Sequence, residues 1–128
     1  MHIIALDKSG TVLRKIETLL HEIGIEDMEI SLFTNANDAL DFMEDNSVKM
    51  VFSSIETDGV DGITFVDIIL RKQPNLLSKL FIVTSQKDTD DFYDMKDVGA
   101  KRFIKKPINE EHFKHFVTPE IIKILKNN

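Results

Sequence analysis

The sequence lacks cysteine and tryptophan altogether, and these absences exclude several kinds of site. Without cysteine the chain forms neither disulfides nor thiolate metal centres, which fits a reducing cytoplasm. No apolar run approaches the roughly 20 residues that a membrane-spanning helix needs. The first residues also lack the basic stretch and cleavage site of a secretory signal. We therefore expect a cytoplasmic protein that does not enter a membrane.

The chain carries less positive than negative charge. Sixteen lysine and arginine residues stand against twenty-two aspartate and glutamate residues, which gives a net charge of −6. No basic stripe is present, and nucleic-acid binding needs such a stripe to neutralise phosphates. We expect no nucleic-acid partner. The length of 128 residues, with 42% hydrophobic and 30% charged residues, is typical of one globular domain.

Short apolar runs alternate with segments of helical periodicity along the whole chain. The runs are too short and too continuously apolar for amphipathic helices, so they indicate the strands of a parallel sheet that is buried on both faces. Five strand–helix units in alternation predict a doubly wound α/β fold, a three-layer (βα)5 sandwich around a five-stranded parallel sheet. The predicted strands occupy residues 3–6, 30–33, 50–52, 80–83 and 103–104.

Local signals predict where three of the helices begin or end. Gly24 ends the first helix, and Asn37 caps the second. Thr118-Pro119 ends the fifth helix and starts a separate helical turn, because an interior proline costs a helix about 3 kcal/mol. The segment after Pro119 would then carry a new apolar stripe that packs on the domain or on a partner, made of Ile121, Ile122 and Leu125.

Polar residues follow the predicted strands at the edge where a doubly wound sheet places its chemistry. An acid, hydroxyl groups and an ammonium group would meet there in one small crevice. The residues that follow strands one, three, four and five are Asp7, Lys8 and Ser9, then Ser53, Ser54 and Glu56, then Thr84 and Ser85, and finally Lys105, Lys106 and Pro107.

These residues match, in order and spacing, the receiver domain of response regulators, which the chain resembles over essentially its whole length. The matching segments are 19–24, 37–40, 61–62, 83–85, 98–100 and 106–107. In that family two acids after strand one hold Mg²⁺, and an aspartate after strand three takes a phosphoryl group from a phosphohistidine. A Thr or Ser after strand four and a Lys after strand five contact the phosphate. The resemblance implies a flavodoxin-like fold with strand order 2-1-3-4-5, one receiver domain over residues 1–128, and no output domain.

Two positions depart from the family pattern. The Asp61-Gly62 pair fixes a register that puts Ser54 at the phosphoacceptor position, and Lys8 replaces the second acid. A serine hydroxyl is a poor nucleophile without an adjacent base, and Lys8 brings positive charge where Mg²⁺ needs a carboxylate. We expect weak or absent Mg²⁺ binding, no other cofactor and no catalytic residue. The predicted degenerate pocket, in which the two lysines pair with the two acids, consists of Asp7, Lys8, Ser54, Glu56, Thr84 and Lys106.

The resemblance also implies a readout. Thr84 matches the family's switch hydroxyl, Phe103 its switch aromatic residue, and Lys106-Pro107 a cis peptide bond. The surface of helix four, strand five and helix five is the family's usual partner and dimer face. The expected function is that of a stand-alone, non-enzymatic, atypical receiver in two-component or phosphorelay signalling. It would act by contact with a histidine kinase, another signalling protein or a second copy of itself.

Two other functional classes remain open from the sequence. Residues 6–12 resemble the first motif of haloacid-dehalogenase-like phosphatases, in which Asp7 would be the nucleophile. That interpretation lacks an acidic pair at a later strand end, because Glu110 and Glu111 lie at a helix start. A flavodoxin-like redox protein shares the topology and could seat a phosphate at residues 9–11. It would need aromatic residues around a flavin, and Tyr93 lies in a predicted helix.

Histidine spacing offers a weak metal signal in the fifth helix. His112 and His115 lie three residues apart and could share a metal ion. No third ligand is nearby in the sequence, and a stable site needs more than two protein ligands. A solvated helix face is the favoured interpretation of this pair.

Overall fold

The computed structural model describes residues 1–127, in which five strands alternate with five helices. The strands are β1 (Ile3–Leu6), β2 (Ile30–Phe33), β3 (Met50–Ser53), β4 (Leu80–Thr84) and β5 (Phe103–Lys105). The helices are α1 (Gly10–Ile23), α2 (Ala36–Asp45), α3 (Gly62–Lys72), α4 (Asp90–Asp97) and α5 (Glu110–Lys126). Short 3-10 helices at Asp27–Glu29 and Pro74–Lys79 precede β2 and β4. The predicted alternation is confirmed.

All strand pairs are parallel, and the strand order is β2-β1-β3-β4-β5. This order confirms the doubly wound, flavodoxin-like topology. Every residue of β1, β3 and β4 is buried, as expected for central strands that helices cover on both faces. Within residues 1–127, no helix combines the length and apolar character that crossing a bilayer demands.

Two apolar clusters lie on opposite faces of the sheet. On one face α1 and α5 pack over Phe52, whose ring stacks between Phe81 and Phe113 with centroid separations of 5.3 and 5.4 Å. On the other face α2, α3 and α4 pack over residues such as Val51 and Ile82. Side chains of successive strand residues point to opposite faces, so each central strand contributes to both clusters.

Helix α1 ends at Gly24 as the sequence predicts, but the predicted cap of α2 is wrong. The Ser9 hydroxyl accepts a hydrogen bond from the Val12 amide, and Gly24 ends α1 with a φ of 109°. Asn35, not Asn37, caps α2: its backbone is extended, and its side-chain oxygen accepts a hydrogen bond of 2.8 Å from the Asn37 amide. Asn37 lies inside the first turn, where its side chain accepts a hydrogen bond from the Val60 amide.

The predicted break in α5 is also wrong, because the helix runs without interruption through Pro119. The buried face explains this result. Val117, Ile121 and Ile124 are all buried and continue one apolar stripe across the proline, so packing offsets the lost hydrogen bond. Of the stripe predicted after Pro119, only Ile121 is buried, whereas Ile122 and Leu125 are exposed.

Candidate functional site

Four strands bring their polar ends to one edge of the sheet. Backbone hydrogen bonds extend the ladders just beyond the strands: the Ser54 amide donates to the Leu6 carbonyl at 2.9 Å, and the Lys106 amide donates to the Thr84 carbonyl at 3.0 Å. Asp7, directly after β1, donates its amide to the Phe33 carbonyl at 3.0 Å. These bonds fix the carboxyl ends of the strands in register, so the predicted pocket residues share one edge.

Asp7 and Lys106 form the charged centre of this edge. The Asp7 side chain is buried, and its Oδ1 accepts a hydrogen bond of 2.9 Å from the Ser9 amide. Its Oδ2 lies 2.7 Å from the Lys106 ammonium nitrogen. Oδ2 forms no hydrogen bond within the described chain. The contact is therefore an ion pair held by coulombic attraction, and both carboxylate oxygens of Asp7 are engaged.

Lys106 follows β5 directly, and the Lys106–Pro107 peptide bond is cis. The lysine side chain is 22% exposed, so its ammonium group contacts the buried Asp7 from the rim of the crevice.

Ser54 is 5% exposed and follows β3 directly. Its hydroxyl oxygen accepts a hydrogen bond of 3.2 Å from the Glu56 amide. The backbone around it is held by Gly62, because a Cβ atom at position 62 would lie 2.4 Å from the carbonyl oxygens of both Ser54 and Ile55. Only glycine permits this close approach, so the Asp61-Gly62 motif fixes the loop that presents Ser54.

The predicted four-membered ion-pair cluster forms only in part. Lys106 pairs with Asp7, but Lys8 points to solvent and is exposed. Glu56 is exposed too, and it accepts a hydrogen bond of 3.3 Å from the Gln86 side chain. An exposed lysine keeps its hydration when it stays in water, and a surface ion pair with Glu56 would gain little. The expected pairing of Lys8 is therefore wrong within the described residues.

Gln86 is a residue that sequence reasoning missed. Its backbone amide donates a hydrogen bond of 3.0 Å to the Thr84 hydroxyl oxygen. Its side-chain oxygen accepts a hydrogen bond of 3.0 Å from the Thr89 hydroxyl. With the bond to Glu56, this single side chain links the loops after β3 and β4. A lone glutamine in a loop carries no recognisable spacing, so no signal in the sequence pointed to this bridge.

Phe103 lies partly buried on β5 beside an aromatic neighbour. Its ring centroid is 4.8 Å from that of Phe92 on α4. The Lys96 ammonium group lies 4.8 Å from the Phe92 ring centre and 5.9 Å from the Phe103 ring centre, within the range of cation–π attraction. A cleft of about 260 Å³ separates Phe103 from Thr84. The two predicted readout residues therefore line the same cleft.

The two alternative functions find no support in this geometry. Glu110, one of the acids that a phosphatase would need beside Asp7, is exposed and forms an ion pair of 2.8 Å with Lys15. Tyr93, the aromatic residue considered for a flavin site, is exposed on α4 and donates a hydrogen bond to Asp88.

A family model described as "Response regulator receiver domain" matches residues 3–118. No curated protein sequence matches the chain. Among solved structures, a CheY-like response regulator receiver domain protein from Methanospirillum hungatei superposes with a TM-score of 0.83 at 17% identity, covering 99% of this chain and 98% of that one. The signal receiver domain of an HD domain-containing protein from Pseudomonas fluorescens superposes with a TM-score of 0.82 at 18% identity, covering 95% of this chain and 94% of that one. A two-component response regulator from Clostridium difficile superposes with a TM-score of 0.80 at 21% identity, covering 97% of this chain and 98% of that one. These structural likenesses concern the fold.

Proposed function

Because the chain belongs to the response regulator receiver domain family, we propose that it is an atypical receiver whose signalling does not depend on phosphorylation at the usual position. The observation that supports this proposal is Ser54, a buried serine that follows β3 directly, and we assign it to the position of the family's acceptor aspartate. The proposed pocket consists of Asp7, Lys8, Ser54, Glu56, Thr84 and Lys106.

The hydrogen bonding of Ser54 argues against a nucleophilic role. Transfer of a phosphoryl group to a hydroxyl requires a base that removes its proton. The Ser54 oxygen instead accepts a hydrogen bond from a backbone amide, that of Glu56. This bond draws electron density away from the oxygen, and the neighbouring Ser53 hydroxyl donates to the Ser54 carbonyl rather than accepting a proton. The serine is held as a structural group.

The donor set of the pocket does not fit Mg²⁺. This ion requires octahedral coordination by several oxygen atoms. Asp7 supplies the one buried carboxylate, and its two oxygens are already engaged by the Ser9 amide and by Lys106. Lys8 stands where a second acid would be, and Glu56 is exposed and bonded to Gln86. The Lys106 ammonium group supplies the positive charge that balances Asp7.

We place the output of this receiver on the surface formed by α4, β5 and α5. Three aromatic side chains are prominent there: Phe103, which lines three clefts, and the exposed Tyr93 and Phe116. Exposed aromatic residues are enriched at protein interfaces. The partner that we propose is a histidine kinase, another signalling protein or a second copy of this chain.

Phosphorylation chemistry gives the decisive test. The purified protein is incubated with Mg²⁺ and acetyl phosphate, and intact mass spectrometry reads out any phosphoryl adduct. We expect no adduct on the parent chain or on a Ser54→Ala variant. Isothermal titration with Mg²⁺ at millimolar concentration should show no saturable binding. A Lys8→Asp/Ser54→Asp double variant, which restores both family carboxylates, serves as the positive control.

Two results would contradict the proposal. An adduct that Ser54→Ala removes would make the serine an acceptor. An adduct that persists in Ser54→Ala but disappears in Asp7→Asn would instead identify Asp7 as the acceptor, in favour of the phosphatase-like alternative.

A further inference from the structure

The carboxyl-terminal end of α1 carries a cluster of metal-ligating side chains that the function above does not use. Glu17, His21 and Asp27 each offer one ligand atom, and these atoms all lie within 4.8 Å of one another. We propose that this cluster is a binding site for a divalent transition metal, with Zn²⁺ as the ion that it takes. The site is independent of the proposed receiver pocket.

The fold brings the three ligands together by regular means. Glu17 and His21 are four residues apart on α1, so they lie on the same helix face. The chain then turns at Gly24, whose amide donates to the His21 carbonyl at 2.9 Å, and the Ile25 amide donates to the Leu20 carbonyl at 3.0 Å. Ile25 is buried. This fixed turn returns Asp27 to the helix end, where its carboxylate contacts the His21 ring.

The charges of the cluster favour a cation. Two carboxylates and one imidazole share the site, and the imidazole carries at most one positive charge against two negative ones. The carboxyl-terminal end of a helix also carries partial negative charge from the helix dipole. Glu22, the nearest other acid on α1, is already paired with Lys114 at 2.7 Å. A divalent ion bound to the neutral ring and to Glu17 and Asp27 would balance both carboxylates.

The ligand types select the metal. An imidazole nitrogen with carboxylate oxygens suits Zn²⁺, whereas Mg²⁺ and Ca²⁺ prefer oxygen ligands only. In tetrahedral Zn²⁺ sites the metal–ligand distances are about 2.0–2.2 Å, which puts neighbouring ligand atoms about 3.4 Å apart. His21 and Asp27 are now closer than this, so Asp27 must move outward to admit the ion. Its side chain is 82% exposed and is free to do so. Water would complete the coordination.

The site lies far from the receiver pocket. Ser9, beside Asp7, caps the other end of α1, and His21 lies twelve positions further along the chain, about 18 Å away at 1.5 Å per residue. A bound ion would connect the end of α1 to the segment that leads into β2.

Isothermal titration of the full chain with ZnCl2 in a buffer without chelating groups tests the proposal. We expect one Zn²⁺ per chain, and binding at least about tenfold weaker in His21→Gln and in Asp27→Asn. The matched control is the His112→Gln/His115→Gln double variant, which removes the same type of ligand from α5 and should bind Zn²⁺ as the parent does. Amide NMR shifts on Zn²⁺ addition should centre on residues 17–28.

Three results would overturn the proposal: no saturable Zn²⁺ binding at millimolar concentration, binding that His21→Gln leaves unchanged, or binding that the α5 double variant abolishes. Circular dichroism of each variant establishes that it is folded. None of these outcomes bears on Ser54 or on Mg²⁺, so the receiver proposal and the zinc proposal fail separately.

Discussion

Glu120 offers the sharpest prediction about stability. This carboxylate on α5 is 2% exposed and lies 2.9 Å from the ammonium nitrogen of Lys123, 3.3 Å from that of Lys79 and 3.6 Å from a guanidinium nitrogen of Arg102. Replacement by glutamine keeps the shape but removes the charge. Lys79, whose side chain is only 15% exposed, would then lose the charge that compensates its burial.

The expected loss follows from the exposure of each partner. Removal of one member of a fully buried ion pair costs about 3–5 kcal/mol. Lys79 retains some solvent contact and Arg102 is about one-third exposed, so we take the lower end, about 3 kcal/mol. Lys123 is 63% exposed, and its (i, i+3) pair with Glu120 contributes only about 0.2–0.5 kcal/mol. For a domain of this size, Glu120→Gln should lower Tm by about 12 °C.

Urea and thermal unfolding followed by circular dichroism at pH 7 measure this loss. Lys123→Ala is the matched control and should change the free energy of unfolding by less than about 0.5 kcal/mol. The double variant Lys79→Met/Glu120→Leu removes the whole buried pair and should recover most of the loss, because apolar replacement of such pairs is often neutral. A loss below about 1 kcal/mol for Glu120→Gln would refute the reasoning.

The ion pairs of Glu120 also make the free energy of unfolding depend on pH, and the direction of this dependence follows from the pKa of Glu120. Burial pushes the pKa of Glu120 upward, but hydrogen bonds from Lys123 and Lys79 and the charges of Lys79 and Arg102 outweigh it and hold that pKa below its ordinary value of 4.5. At pH values between the folded and the unfolded pKa of Glu120, the unfolded state therefore binds more protons than the folded state. The stabilisation is present above the unfolded pKa and is lost as the pH falls through the folded pKa. The difference between parent and Glu120→Gln should shrink below a pH of about 4.5.

Three further changes test other parts of the structure. Gly62→Ala should destabilise the domain by about 2 kcal/mol in urea unfolding, because its Cβ atom would meet two carbonyl oxygens at 2.4 Å; an unchanged midpoint would contradict the close approach. Lys106→Met should cost about 2–3 kcal/mol at pH 7, because it leaves the buried Asp7 carboxylate without its cation. The double variant with Asp7→Asn should restore part of that loss, and failure to do so would refute the coupling. Pro119→Ala should raise the free energy of unfolding by about 1–2 kcal/mol, because it restores an amide donor inside α5; a lower value would mean that the proline is required for packing.

The fold was predictable because each of its main signals is local and redundant. The buried strands are continuous apolar runs, and the boundary at Gly24 uses a left-handed backbone conformation that few other residues adopt. The two wrong boundaries had competing signals. Asn35 and Asn37 are equally good caps by residue type, and only the tertiary contact of Asn37 with Val60 separates them. Pro119 predicts a break by local preference, which packing of the buried helix face overrides.

The site was predictable where a motif fixed a register, and it was not where single side chains meet from distant loops. Asp61-Gly62 pointed to Ser54, seven positions before Asp61, and Ser54 follows β3 directly. The Gln86 bridge and the ion pairs of Glu120 depend on side-chain contacts over about 30 and 41 residues of sequence. Glu17 and His21 are four residues apart, a spacing that predicts neighbours on one helix face. His21 and Asp27 are six residues apart, and they come into contact only because the backbone turns at Gly24.

The uninterrupted course of α5 through Pro119 has a consequence for how the helix opens. Proline has no amide hydrogen, so the ladder of main-chain bonds has a gap at this turn, and the segment 120–126 gains less cooperativity from the turns before it. Its attachment rests on tertiary contacts: the packing of the buried Ile121 and Ile124 and the ion pairs of Glu120 with Lys79 and Arg102. Amide hydrogen exchange should therefore divide α5 into two units, and the distal unit should open together with the segment around Lys79 rather than with the proximal half of its own helix.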